Sequence, residues 1–179
     1  MGEIQVPEIP GEVVEGEGSS RLQEEGMSAP GGNQERGQVV DGAKKVFTVR
    51  GEPVAAPRMT QGQVKLLRIP DYKLDKKALT VKARIKRYLQ YKDMVGLVAK
   101  IEGKCRDAYE GAVALKINFV FEGNPFESHT GKPDLDNLVK AMKDGLKGIA
   151  YKDDKQVVFT EAGKEYGPEA KACVEVVFL

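Results

Sequence analysis

The feature that most constrains this chain is a short amphipathic segment with acidic residues at both of its ends. Residues 132–156 read KPDLDNLVKAMKDGLKGIAYKDDKQ. The apolar residues of this segment recur at helical spacing and form one stripe: Leu138, Ala141, Met142, Leu146 and Ile149. Asp134 or Asp136 can cap the start of such a helix, and Gly148 follows the stripe where a helix would stop. The sequence therefore predicts a short helix that begins beside one acidic pair and ends just before another, Asp153 and Asp154.

These acidic residues favour a site for a hard metal ion. We expect the turn after the helix to bring Asp153 or Asp154 beside Asp134 and Asp136. Carboxylates at such short range repel one another unless a proton or a cation compensates them. An all-oxygen set of this kind suits Mg²⁺ or Mn²⁺ rather than zinc. Lys140, which lies one turn after Asp136, would then offset charge on a phosphoryl group.

A purely structural interpretation stays open at this point. Asp136, Lys140 and Asp144 are spaced four residues apart, so they could form a solvated ladder of ion pairs. Each such pair stabilises a helix by roughly 0.2–0.5 kcal/mol. Asp134 could be only a helix cap. A calcium-binding EF-hand is excluded, because apolar residues stand where that loop needs a ligand and a glycine.

The segment resembles the RusA family of Holliday junction resolvases, which are small endodeoxyribonucleases of phages and prophages. The likeness covers KPDLDNLxKA, then DxL, then DDxQV, and continues more weakly upstream in FTVxGxPV and the Pro-Arg pair at 57–58. It implies a homodimeric nuclease that depends on Mg²⁺, with Mn²⁺ as a possible substitute, and cuts branched DNA by paired nicks.

The resemblance also implies roles for individual residues. The metal-binding aspartates of the family fall on Asp134, Asp136 and one of the pair at 153–154, and its essential lysine falls on Lys140. The link between the helix and the second acidic pair is slightly shorter here than in the best-known member. This difference leaves the choice within the pair open, and we prefer Asp154 as the third metal ligand and keep Asp153 as the second choice.

Charge is divided unevenly along the 179 residues. Residues 1–44 hold nine acidic and three basic side chains, whereas the remainder holds 18 acidic and 25 basic ones. The first segment is rich in Gly and Glu without apolar periodicity, so we expect a disordered acidic tail followed by a domain at 45–179. A basic domain is consistent with a nucleic-acid partner. Lys82 shares one charged face of the predicted long helix with Lys86 and Arg87, and such a face is often only solvated. The candidate DNA contacts are Arg58, Lys65, Arg68, Lys132, Lys86 and Arg87.

The remaining patterns predict an α/β (α+β) fold. Strands are expected at residues 45–49, 111–121, 157–162 and 172–179, and a long helix from Thr80 to a stop at Gly103. Gly163 is expected to begin the bend between the last two strands. One short and one long helix between these strands favour a mixed β-sheet with two main helices on one face, in a RusA-like homodimer.

Three further observations bound the function. The two cysteines form no framework, no run is long enough to span a membrane, and the start lacks the features of a signal peptide. We therefore expect a protein of the cytoplasm of a bacterium or a phage-infected cell. His129 is the single histidine and is expected to be a loop residue rather than a catalytic base. The rival functions are a non-catalytic DNA-binding module of a recombination complex and, more weakly, a nuclease for RNA or small nucleotides.

Overall fold

The computed structural model describes residues 43–179, which contain a four-stranded mixed sheet. The elements in chain order are β1 (Lys44–Arg50), α1 (Gln61–Lys65), α2 (Lys76–Ile101), β2 (Val113–Glu122), α3 (Leu135–Leu146), β3 (Val157–Gly167) and β4 (Lys171–Phe178). Short 3₁₀ turns lie at Leu66–Arg68, Asp71–Lys73 and Asp154–Gln156. The predicted disordered tail lies outside the described residues, apart from its last two positions. None of the described helices is long and apolar enough to cross a membrane.

The sheet order is β1-β4-β2-β3, and one connection in it decides where the acidic residues lie. β2 and β3 are parallel neighbours, whereas β4 pairs antiparallel with both β1 and β2. Parallel neighbours need a crossover, and α3 supplies it. The start of α3 therefore lies near the carboxyl ends of β2 and β3, and its end lies near their amino ends.

The core lies between the sheet and the two long helices, α2 and α3. Alternate residues of β2 are buried on the helix side, and so is the predicted stripe of α3, which comprises Leu138, Ala141, Met142 and Leu146. Gly96 of α2 and Gly145 of α3 allow close approach of the helices. A Cβ added at Gly145 would lie 2.7 Å from Cγ1 of Val95. The predicted mixed sheet with two main helices is confirmed.

The long helix α2 begins at Lys76, earlier than the start at Thr80 that its sequence pattern predicts. Asp75 caps α2, and its Oδ1 accepts a hydrogen bond from the Ala78 amide at 2.7 Å. Thr80, the expected cap, lies inside the helix and donates to the carbonyl of Lys76 at 3.0 Å. Both residue types are good caps, and only the position of the preceding turn decides between them.

The third strand also continues past its expected end. β3 extends from Val157 to Gly167, so Gly163 lies inside it rather than at a bend. Gly163 pairs with Asn118 of β2, and this pairing persists through Gly167. The extension matters because it carries Lys164 and Tyr166 to the carboxyl end of the sheet, beside the start of α3.

Candidate active site

The first acidic pair stands at the N-terminus of α3 with its carboxylates uncommitted. Asp134 is the N-cap residue by backbone position, but its side chain accepts no capping hydrogen bond. Asp136 lies in the first turn and accepts one hydrogen bond, from Nδ2 of Asn137 at 3.3 Å. Both aspartates are exposed, and neither joins an ion pair within residues 43–179. The cap-only interpretation of Asp134 is therefore not what the structure contains.

The lysine one turn further along α3 is likewise free of carboxylates. Lys140 is exposed and forms no ion pair with Asp136 or Asp144 in the described part of the chain. Asp144 instead accepts a hydrogen bond from the hydroxyl of Tyr88 in α2 at 2.5 Å. Burial, and then the bond to Asp144, raise the pKa of Tyr88 well above its usual value. The ion-pair ladder that the sequence left open is not formed.

The second acidic pair lies in the turn that follows α3. Asp153 caps the 3₁₀ turn, and its Oδ1 accepts from the amide of Lys155 at 3.1 Å. Nζ of Lys147 lies 3.3 Å from Oδ2 of Asp153 and 3.7 Å from Oδ2 of Asp154. The Lys155 amide and Lys147 lower the pKa of Asp153, and the two carboxylates raise the pKa of Lys147. The other oxygen of Asp154, Oδ1, is buried and has no hydrogen-bond partner.

The two acidic pairs do not meet within one chain. The length of α3 lies between them, and its twelve residues span about 18 Å at 1.5 Å per residue. The hydroxyl of Tyr151 donates to the carbonyl of Lys143 at 3.1 Å, which holds the returning chain at the last turn of the helix. Among residues 43–179, no group of three or more His, Cys, Asp or Glu side chains is close enough to share a metal ion. The expected approach of Asp153 or Asp154 to Asp134 is therefore absent from the single chain.

The chemistry of these donors nevertheless suits Mg²⁺ or Mn²⁺. Both pairs offer carboxylate oxygens and no sulfur or imidazole nitrogen, which is the donor set of a hard cation. The buried Oδ1 of Asp154 lacks a partner, and the carboxylates of Asp134 and Asp136 are exposed to a further ligand. Each pair alone supplies fewer acidic ligands than the predicted three.

Three of the predicted DNA contacts belong to the segment between β1 and α2. The amide of Ala56 donates to the carbonyl of Asn137 at 2.9 Å, so this segment contacts the first turn of α3. Exposed Arg58 follows two residues later. Lys65 and Arg68 border a shallow depression of about 300 Å³. The three basic residues thus follow, in sequence, the point at which this segment contacts the first turn of α3.

The other predicted contacts are on α2 and in the loop before α3. Lys132 and Lys86 are exposed, whereas Arg87 forms an exposed ion pair with Glu52 at 2.6 Å. Lys82, which sequence periodicity placed on the same charged face, is instead 5% exposed and pairs with Asp71 at 2.8 Å. The basic face of α2 is therefore narrower than expected, because the segment between α1 and α2 folds over Lys82.

Two residues, Lys164 and His129, make contacts near the first acidic pair that the sequence did not predict. Nζ of Lys164 in β3 donates to the carbonyl of Gly131 at 2.6 Å and to that of Pro133 at 3.0 Å. His129 is 7% exposed, and its ring lies 4.4 Å from that of Phe121 and 4.6 Å from that of Tyr166. The histidine packs between two aromatic rings at the end of the sheet. A single lysine in a strand gives no local sequence signal of hydrogen bonds to a distant loop, such as those of Lys164.

Comparison with known proteins decides the family. The sequence pattern described as "Endodeoxyribonuclease RusA" matches residues 52–177. The chain belongs to this family. All the predicted site residues lie inside the range that matches the RusA pattern, from Arg58 to Asp154.

Two curated relatives accompany this family match. The chain is 28% identical over 123 residues to the "Crossover junction endodeoxyribonuclease rusA" of Lactococcus phage r1t, covering 59% of this chain and 94% of that protein. It is 50% identical over 48 residues to the "Uncharacterized protein YqaN" of Bacillus subtilis strain 168, covering 27% of this chain and 32% of that protein. The second match thus spans about a third of its relative, and RusA membership rests on the family pattern that matches residues 52–177.

Proposed function

We propose that this RusA-family chain is a Mg²⁺-dependent, structure-selective endonuclease that resolves Holliday junctions or other branched DNA by paired phosphodiester hydrolysis. We place this activity in recombination and repair, in the cytoplasm of a bacterium or a phage-infected cell. The observation that carries the proposal is the pair of uncommitted carboxylates, Asp134 and Asp136, in a member of an endodeoxyribonuclease family. The name of the Lactococcus phage relative supports the choice of a crossover junction as substrate.

Asp134, Asp136 and Asp154 would hold the metal, with Asp153 as the alternative to Asp154. In such sites Mg²⁺, or Mn²⁺ in its place, activates a water molecule and stabilises negative charge on the phosphate. Lys140, which has no carboxylate partner among the described residues, would offset charge on the scissile phosphate. The exposed basic residues Arg58 and Lys132 would hold the DNA backbone on either side.

A site with all three aspartates requires a second copy of the chain. Within one copy the length of α3 lies between the two pairs. A homodimer in which the start of α3 in one copy faces the 153–154 turn of the other would join them. In a two-fold dimer each contact is repeated, so such an arrangement has two identical sites. A four-way junction has approximate two-fold symmetry, and two identical sites would cut two opposed strands symmetrically.

The first experiment is cleavage of a synthetic four-way junction and of linear duplex DNA, each with Mg²⁺, Mn²⁺ or EDTA. We expect paired nicks in the junction with either metal, little cleavage of the duplex and none in EDTA. Equal cleavage of junction and duplex would contradict structure selectivity. A junction cut at the same rate in EDTA would contradict metal dependence.

Mixing two inactive variants tests the shared site. In a mixed dimer of Asp134→Asn and Asp154→Asn copies, both substitutions fall in one site and leave the other intact. After equal mixing under exchange conditions, about half of the dimers should be mixed, and each has one intact site, so about a quarter of all sites should be active. Each mixed dimer should nick only one strand of the junction. The matching mixture with Asp153→Asn tests the alternative ligand. If each variant is inactive alone and both mixtures stay inactive although mixed dimers form, the shared site is refuted.

One observation favours a second function. The separation of the acidic pairs within one chain is also consistent with a non-catalytic DNA-binding module, in which the aspartates hold no metal ion. That function predicts binding to branched DNA that does not depend on metal, with no cleavage product under any of the conditions above. The appearance of a nicked strand with Mg²⁺, lost in Asp136→Asn, excludes it.

A further inference from the structure

Lys164 is an unusual residue for its place in the sheet. It pairs in register with Phe119, a fully buried residue of β2 whose side chain faces the helices. Alternation along β3 therefore directs Lys164 to the same side as α3. Lys164 is half-buried there, and an ammonium group that loses part of its water needs hydrogen-bond partners. None of the ion pairs formed within residues 43–179 involves Lys164.

The partners of Lys164 are two backbone carbonyls immediately before the first acidic pair. Its ammonium group donates to Gly131 at 2.6 Å and to Pro133 at 3.0 Å. Pro133 directly precedes Asp134, which is held in position by backbone alone because its side chain makes no capping bond. These two hydrogen bonds therefore tie the peptide that carries Asp134 to the neighbouring strand.

In the loop between β2 and α3, few side-chain contacts other than those of Lys164 hold the residues just before Asp134. Side chains of residues 122–128 are exposed, and a Cβ at Gly131 would meet nothing within 4 Å. His129 is the one buried residue between Glu122 and Lys132, held between the rings of Phe121 and Tyr166. The loop is thus attached to the ends of β2 and β3 by the Gly123 amide, which donates to the carbonyl of Gly167 at 3.0 Å, by His129 and by Lys164, and the attachment nearest to Asp134 along the chain is Lys164.

We propose that Lys164 is a positioning residue, which fixes the Gly131–Pro133 backbone on β3 and thereby sets the place of Asp134 and Asp136 for a divalent cation. This inference rests on the proposed metal site. Lys164 does not touch the reacting atoms in this role. Its loss should weaken metal binding without unfolding the chain, because the core side chains around β3 remain in place.

The test measures the affinity of the full-length protein for Mn²⁺ by electron paramagnetic resonance, in the absence of DNA. Residues that orient metal ligands typically change metal affinity by about 10- to 100-fold, so we expect Lys164→Met to weaken Mn²⁺ binding at least about tenfold. Lys164→Arg should recover part of the affinity, because a guanidinium group can also donate to two carbonyls. The matched control is Lys116→Met, which removes an exposed lysine from the opposite side of the sheet and should leave the affinity unchanged.

A second measurement separates the inference from the proposed function. In metal-free protein, hydrogen exchange of residues 129–134 should be faster in Lys164→Met than in wild type and Lys116→Met. If Asp134→Asn binds Mn²⁺ as tightly as wild type, the proposed metal site is wrong, and this exchange measurement alone decides whether Lys164 fixes the loop. If Asp134→Asn loses Mn²⁺ but Lys164→Met binds it normally, the positioning role is refuted and the metal site stands. Unchanged exchange in Lys164→Met also refutes the role.

Discussion

The N-terminal end of α3 carries Asp134 and Asp136, which form no ion pair within the described residues. The turn after its C-terminal end carries Asp153 and Asp154, which share Lys147 at 3.3 and 3.7 Å. The dipole of a helix favours negative charge at its N-terminus and disfavours it at its C-terminus. The dipole therefore favours the negative charge of the first pair, whereas the second pair lies where the dipole is unfavourable and Lys147 supplies a compensating positive charge.

This difference indicates what each pair does in the folded chain. Asp153 has a structural role, since it caps the 3₁₀ turn and lies beside Lys147. Asp134 and Asp136 form neither a capping bond nor an ion pair among the described residues, so their contribution to folding is limited to the favourable helix dipole and one hydrogen bond from Asn137. Asp154 is intermediate, with one oxygen near Lys147 and the other buried without a partner. We therefore expect substitutions at the two ends to separate activity from stability.

The largest effect should come from the N-terminal pair. Asp134→Asn or Asp136→Asn should lower the rate of junction cleavage about a thousandfold, because loss of a metal ligand removes several kcal/mol of transition-state stabilisation. Junction binding should change little, since basic residues supply most of the affinity. Gel-based cleavage and binding assays measure the two effects. The control is Asp93→Asn, an exposed aspartate of α2, and wild-type cleavage by Asp136→Asn would contradict the assignment.

A smaller and more selective effect is expected at the C-terminal pair. Asp154→Asn should lower the cleavage rate by at least about a hundredfold with little change in melting temperature. Asp153→Ala should change the rate less than tenfold but lower the melting temperature, because the cap of the 3₁₀ turn is lost. Single-turnover kinetics and thermal unfolding of both variants decide between them. The reverse pattern would make Asp153 the third metal ligand.

The smallest effect concerns Lys147 and pH. The Lys155 amide and Lys147 hold the pKa of Asp153 below its ordinary 3.8, so the ionised form stabilises the folded state. This contribution is complete above the unfolded pKa and is lost as the pH falls through the lower folded value. Lys147→Met should raise the pKa of Asp153 and so reduce the loss of stability as the pH falls below 3.8.

Carbon-13 NMR titration of the Asp153 carboxyl group measures this shift directly. Thermal unfolding at the same pH values measures its consequence for stability. The comparison variant is Lys155→Met, because Lys155 acts on Asp153 chiefly through its backbone amide, which methionine retains. An equal rise of the Asp153 pKa in both variants would show that the Lys147 contact is not specific.

The sequence predicted features that depend on residues close together along the chain, and it missed features that depend on distant residues. The stripe of α3 and the alternation of β2 were predicted because burial on one side imposes a fixed period on a regular element. The start of α2 was misplaced, because Asp75 and Thr80 offer similar local caps. Lys82 was placed on a solvated face, although a distant segment covers it and supplies Asp71 as its partner.

By itself, the sequence determined the elements of the fold, the RusA resemblance and the identity of the acidic side chains, because these depend on residue type and short-range spacing. Only the tertiary structure decided that the two acidic pairs lie at opposite ends of a straight α3 and that Lys164 ties the preceding loop to β3. Both facts are distances between residues far apart along the chain. Such distances depend on the packing of α3 against α2 and the sheet, and no local pattern encodes them.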